Sequence, residues 1–461
     1  MITLNKKRIG IIVILILNGF YSILAQTITT LGSGSGGPNP SIRTVYVDTI
    51  DNYLYIGGDF KLAGGKFCWG IARWNGTQWD SLGLGMKPVP PSNMFTHIKK
   101  IVRFKNEIYV CGNFRDIGGK KISGLARWDG TDWNNVGGKL KRSGQTDLVG
   151  VDAIEVYNNE LYVTGNFDTI GTTRCTRIAK WDGLNWTNLG DGHHPTCYQD
   201  GITAMTHYQG ELYVAGNINC SFQPEPISKL VGNTWVDVGP GLFGGGWINE
   251  MKEFQGKLYI AGYFSSQSGN IDNNLISTDG ISYFGTAGGV MPSNCLAVQE
   301  HKGELYAGGQ IDFAGSQAIK RIGKWNGFQW LPSLVDIGNG TINAMENYNG
   351  KLVLVGGINN VNGINVNNIA LIDFSTVGIY INKDDKNLTI FPNPTNNLLN
   401  IQIKKGLQEG SVKLYNQLGQ VVYSQTKGVF KNIDVSTFAK GVYFAEVRQE
   451  DKVMRQKVVV E

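Results

Sequence analysis

A glycine returns seven times at a fixed place in this chain, and no other feature constrains the fold as tightly. One register opens on Leu or Ile, at Leu54, Ile108, Leu161, Leu212, Leu258, Leu305 and Leu352. These starts lie 54, 53, 51, 46, 47 and 47 residues apart. Glycine follows four residues later in every case, at Gly58, Gly112, Gly165, Gly216, Gly262, Gly309 and Gly356. Two residues on comes a large apolar side chain: Phe60, Phe114, Phe167, Ile218, Phe264, Ile311 or Ile358. Self-similarity at this period marks stacked units, each unable to bury its own apolar faces alone.

Each repeat divides into four strand-like runs, a to d. In the third repeat, strand a contains Ile154 and Val156, and strand b runs through Leu161, Tyr162 and Val163. A glycine-bearing loop leads to strand c, with Ala179 and Trp181, and Asp182-Gly183 turns the chain into strand d, with Trp186. Asn75-Gly76, Asp129-Gly130 and Asn326-Gly327 repeat that turn and suit a hairpin needing positive φ. Tryptophans flank it as Trp74 and Trp79, Trp128 and Trp133, Trp181 and Trp186, and Trp325 and Trp330, with Trp235 continuing the second column. They read as filling between neighbouring sheets. Glycine supplies 62 of 461 residues and charged residues only 17%, a mix that favours short strands and tight turns over helices.

Seven four-stranded units imply a propeller. The expected fold class is all-β: a seven-bladed β-propeller with an N-terminal strand closing the last blade, plus a small C-terminal β-sandwich. The seventh repeat ends near Ile372 without a Trp-bearing strand d, and residues 27–31 look like that missing strand. The expected divisions are 1–25 a signal peptide, 26–372 the propeller, 373–387 a linker and 388–461 a sorting domain.

The glycine pairs Gly57-Gly58 and Gly308-Gly309, with the spaced Trp that follows, resemble the kelch family and the related galactose-oxidase-like propellers. The repeats also look similar to those of fungal cortical polarity proteins. They depart from kelch in carrying Asn or Asp before Phe after the glycine, as in Gly112-Asn113-Phe114. The likeness spans about residues 27–372. Such motifs specify architecture well and activity poorly.

The tail carries a second, more specific resemblance. Phe391-Pro392-Asn393-Pro394 opens it, Gly441-Val442-Tyr443-Phe444 forms a late strand, and a basic strand with Lys457 closes it. Residues 388–461 closely resemble the type A sorting domain of the type IX secretion system. That resemblance implies recognition by an outer-membrane translocon, then release or attachment at the cell surface.

The other end fits export. Lys6, Lys7 and Arg8 precede an apolar run from Ile9 to Leu17, with cleavage expected between Ala25 and Gln26. No integral membrane segment is expected after processing. The formal charge is +5, of which these three residues give +3 and residues 388–461 give +4, leaving −2 elsewhere. No nucleic-acid partner is expected, because that needs a clustered basic face. Six cysteines permit disulfides. Cys111 reads as a small core filler, and Cys197 with Cys220 as the best candidate pair.

In a propeller the b–c and d–a connections emerge on one face, and here they are the longer ones. Function is expected there. The candidate ligand-binding residues are Phe67, Trp69, His97, His193, His194, Tyr198, Asp200 and Trp247. Trp69 and Trp247 stand outside the structural columns and suit sugar rings. His193 and His194 are adjacent in one loop, a weak metal signal, so no metal and no cofactor are expected. No Walker loop, His-Glu-x-x-His or Gly-x-Ser-x-Gly occurs. Catalytic residues are left unassigned. Expected partners are the type IX secretion machinery and a surface glycan or protein. The leading expectation is a secreted, surface-displayed binding or adhesion protein. The alternative is a carbohydrate-active enzyme, a lyase or oxidase, with its site on the long-loop face.

Overall fold

The computed structural model describes residues 9–17, 20–37, 40–86, 97–144, 149–175, 177–189, 201–216, 227–239, 243–266, 272–331, 335–378, 388–403, 410–415, 421–426, 432–449 and 452–461. The side chains described begin at residue 27. Two compact units result: Thr29–Ile372, and a second comprising Met1–Ile28 with Asp373–Glu461. All regular structure among the described residues is β-strand. No helix there is long and apolar enough to cross a membrane.

The repeats become antiparallel sheets in the expected a-b-c-d order. The first holds Ser41–Asp48, Tyr53–Asp59, Ile71–Trp74 and Trp79–Ser81. The third holds Val151–Tyr157, Glu160–Gly165, Ile178–Trp181 and Trp186–Asn188. The second, fourth, fifth and sixth follow the same order. The seventh supplies Thr341–Tyr348, Lys351–Gly357 and Ile369–Gly378, and the next strand in that sheet is Phe20–Thr30. Ile369–Gly378 runs past the point near Ile372 where the sequence signature fades. Many four-stranded antiparallel sheets of this kind fit a propeller.

First strands pack beside first strands. Ser41–Asp48 lies against His97–Phe104, that strand against Val151–Tyr157, and so on through the repeats; Thr341–Tyr348 lies against Ser41–Asp48. Cores form between neighbouring sheets. One of them joins Leu31, Trp74 and Trp79 to Val353, Val355 and Ile369.

The tryptophan columns fill these spaces. Trp74 pairs with Trp79 across strands c and d, and the same pairing recurs at Trp128 and Trp133, Trp181 and Trp186, and Trp325 and Trp330. All eight are buried. Each second-column indole N–H also reaches the previous repeat. Trp133 donates to Leu82 O at 2.9 Å, Trp186 to Val136 O at 3.1 Å, Trp235 to Leu189 O at 3.3 Å and Trp330 to Thr286 O at 2.7 Å. Tyr283, which stands in the column in the fifth repeat, donates its hydroxyl to Val238 O. A buried carbonyl without such a donor would be costly.

The c–d turns differ in detail from the expected Asn-Gly centre. With Trp74 opposite Trp79 and the Asn75 N–H donating to Gln78 O, the central pair is Gly76-Thr77. Gly76 has φ +97°, so glycine stands at the first central position, as in a type II′ turn. The Asn75 carboxamide oxygen accepts the N–H groups of Thr77 and Gln78, both at 2.9 Å. Asp129, Asp182, Asp279 and Asn326 do the same in their repeats.

The C-terminal residues form two sheets over one core. One has the order Leu388–Phe391, Leu398–Ile403, Ile433–Asp434; the other Val421–Gln425, Ser411–Tyr415, Gly441–Gln449, Lys452–Val460. Leu399, Val412, Leu414, Ala445 and Val458 lie at the centre. The Pro-Asn-Pro segment is tied to the last strand. Asn393 Oδ1 accepts the Val459 N–H at 2.8 Å, and the Thr395 N–H donates to Val459 O at 2.8 Å.

Candidate functional site

The recurring glycine has a geometric cause. In all seven repeats the pairing of strands a and b slips at one equivalent place, beside further slips in the fifth and sixth: between Ile42 and Thr44, Ile98 and Lys100, Val151 and Ala153, Ile202 and Ala204, Ile248 and Glu250, Cys295 and Ala297, and Ile342 and Ala344. Each slip is a β-bulge that bends strand a onto strand b. A Cβ at Gly112 would sit 2.1 Å from His97 O, and one at Gly356 would sit 1.9 Å from Thr341 O. Only glycine admits that approach.

The bulge also presents one extra residue per repeat: Arg43, Lys99, Asp152, Thr203, Asn249, Leu296 and Asn343. All seven line a single cavity of about 290 Å³, together with Thr44, His97, Lys100, Glu250 and Ala344. Bulges commonly re-aim side chains next to functional sites. These seven are the residues the sequence reading missed. The available signal was their spacing: six of them precede the repeat glycine by 13 residues, as Lys99 precedes Gly112, and Arg43 precedes Gly58 by 15.

Neutral bulge side chains stitch neighbouring repeats. Thr203 Oγ1 donates to Ile248 O at 2.5 Å, Asn249 Nδ2 to Cys295 O at 3.0 Å, and Asn343 Nδ2 to Ile42 O at 2.8 Å. Charged ones are paired. Lys99 Nζ lies 2.5 Å from Asp152 Oδ1, and Arg43 Nε 2.6 Å from Asp59 Oδ2. Lys100 Nζ, from the second repeat, lies 3.5 Å from Glu250 Oε1 of the fifth. Burial acts to pull the Lys100 ammonium down, but the Glu250 and Glu155 carboxylates hold its pKa above the ordinary value. Glu250 Oε2 accepts the Val298 N–H at 3.0 Å.

His97 stands at the rim, with its side chain 15% exposed and Nδ1 3.9 Å from Asp59 Oδ1. That nitrogen is buried without a hydrogen-bond partner. Burial, then the nearby Arg43 charge, brings its pKa down to about 4, so the ring is neutral at ordinary pH.

One expected ligand residue, His97, lines the cavity, and a second, Trp247, holds the equivalent strand position in the fifth repeat without lining it. Trp247 precedes Asn249 by two positions, as His97 precedes Lys99. Trp247 is 41% exposed and leans on Tyr263, with ring centroids 5.1 Å apart. Phe67 and Trp69 sit elsewhere, in the small b–c ribbon of the first repeat, and neither lines the cavity. They stack on one another at 6.0 Å, with Lys61 Nζ 5.4 Å above the Trp69 ring. His193, His194, Tyr198 and Asp200 lie outside the described residues, as do Cys197 and Cys220.

Asp48 is buried and held by Arg103, away from Asp59. Cys68, Cys111, Cys175 and Cys295 are free and buried. Burial raises the Cys111 thiol to about 12 and those of Cys68 and Cys175 to about 11. Among the described residues no group of three or more His, Cys, Asp or Glu side chains could hold a metal ion.

Residues 389–461 match the secretion system C-terminal sorting domain. This segment is therefore a type IX sorting domain, and the protein is exported, to be secreted or attached at the outer cell surface. No curated protein matches the chain. Among solved structures, one titled "Structure of YjhT" is similar at 11% identity and a TM-score of 0.34, over 81% of this chain and 98% of that one.

Proposed function

We propose that the protein is a surface-displayed glycan-binding propeller whose site is the cavity ringed by the bulge residues. Its seven repeats form one closed ring, and residues 27–31 complete the seventh blade. A signal peptide of residues 1–25, a propeller of 26–372, a linker of 373–387 and a sorting domain of 388–461 complete the layout. The closure is supported by Asn343, whose amide donates to both Ser41 Oγ and Ile42 O across 301 and more residues of sequence. The kelch-like character rests on the glycine and tryptophan motifs.

The observation that carries the binding reading is the convergence of the seven bulge residues on one cavity. Polar side chains converge there from strands of a rigid scaffold, and the exposed Trp247 ring offers an apolar face on one of those strands, two positions before Asn249. The cavity's two acids, Asp152 and Glu250, are tied into ion pairs, so a site built for recognition is favoured over one built for proton transfer. The test is to pass the full chain over a panel of polysaccharides, reading retention and soluble products together. Retention without products is expected. New reducing ends in the flow-through would replace binding with cleavage.

A further inference from the structure

We infer that the cavity receives the terminal, uncharged residue of a glycan chain. This deepens the binding reading above and rests on it. The first support is charge balance. Arg43, Lys99 and Lys100 are matched by Asp59, Asp152 and Glu250, and His97 is neutral above about pH 4. A balanced lining draws in no anion from a distance. An acidic sugar would also have to break one of these pairs, leaving a partly buried charge uncompensated. Adjacent donors and acceptors instead suit neighbouring hydroxyl groups, each of which both gives and accepts a hydrogen bond.

The second support is a bridge across the cavity. The Lys100–Glu250 pair spans from the second repeat to the fifth. Both residues line the cavity. A polymer threading through would have to part this pair, whereas a chain end would not. The third support is size: about 290 Å³ is at the small end of ligand pockets and matches one sugar ring better than several. Trp247, exposed two positions before the lining Asn249 on the same strand, would then stack on the next residue of the chain.

The experiment uses full-length protein on immobilised oligosaccharides that share one core. Their ends carry a neutral hexose, the matching hexuronate or a sulfated hexose, and a cyclic glucan without ends is included. Binding to the neutral end is expected, with at least about tenfold weaker binding to acidic ends and none to the cycle. Affinity should change less than about twofold between low and high salt, because no net charge is being read. Equal binding to acidic ends or to the cycle, or affinity that falls steeply with salt, would overturn the inference and leave glycan binding intact. No binding to any member would remove the glycan reading itself.

Discussion

The indole N–H of Trp79 donates to the carbonyl of Leu31 at 2.9 Å, across 48 residues of sequence. Leu31 thereby occupies the place held by Leu82, Val136, Leu189 and Thr286 for the later tryptophans. Those acceptors each follow their own column residue by three positions, as Leu82 follows Trp79. By the same count Ile28, which is buried, holds the column position in the sheet of the seventh repeat.

The proposed closure of the ring carries a prediction for stability. Trp79→Phe should cost about 1–2 kcal/mol, as should Trp133→Phe, since each leaves one buried carbonyl without its donor. Trp79→Ala should cost about 3–5 kcal/mol through the lost packing. Deleting residues 26–37 should lower the melting temperature further than Trp79→Phe does. Unchanged melting of the deletion would contradict closure by the N-terminal strand.

The bulge makes a sharper demand on glycine. Gly112→Ala forces a Cβ to 2.1 Å from His97 O and should cost about 3 kcal/mol. Gly357→Ala meets nothing within 4 Å and has ordinary φ, so it should be neutral or stabilising by about 0.5 kcal/mol. Chemical denaturation of the two variants checks both. Similar costs at the two positions would show that chain entropy, and not contact, explains the repeat glycine.

The His97 imidazole couples the cavity to pH. Its folded pKa of about 4 lies below the roughly 6.5 of an unfolded histidine, so between those values the unfolded chain binds the extra proton. Stability should then rise with pH across that window and be fully present above it, by roughly 2–3 kcal/mol. Denaturation of wild type and His97→Gln across pH 4–7 isolates the effect. Parallel curves would mean that His97 is not held neutral.

Thiol chemistry tests the interior directly. In a Cys197→Ser/Cys220→Ser variant, Cys68, Cys111, Cys175 and Cys295 should stay silent to an aromatic disulfide reagent until the protein unfolds, then all react. Their burial and raised pKa values suppress the thiolate. Rapid reaction in the native state would contradict the packing.

Repetition made the fold legible. The glycine register, the tryptophan columns and the Asn/Asp-Gly turns all appear at fixed spacing because every repeat meets the same steric problem. Cys111 was readable as a filler because Gly57, Thr164 and Ala215 hold its place elsewhere. The site was legible only in part. His97 and Trp247 stand out by residue type, and of the two His97 lines the cavity. The bulge residues escaped because a bulge leaves no hydrophobic pattern, and Arg43, Lys99, Asp152, Thr203, Asn249, Leu296 and Asn343 share a position but almost no chemistry. The Lys100–Glu250 pair joins strands 150 residues apart, a relationship that spacing within one repeat does not carry.

The most direct measurement sets Trp247→Ala against Trp69→Ala on whichever polysaccharide retains the wild-type chain. Both are partly exposed aromatics outside the structural columns, but only Trp247 lies on a strand that lines the cavity, two positions before Asn249. Trp247→Ala should weaken binding at least about tenfold with melting unchanged, while Trp69→Ala stays within about twofold of wild type. The reverse order would place the site on the first-repeat ribbon and contradict a binding site at the bulge ring.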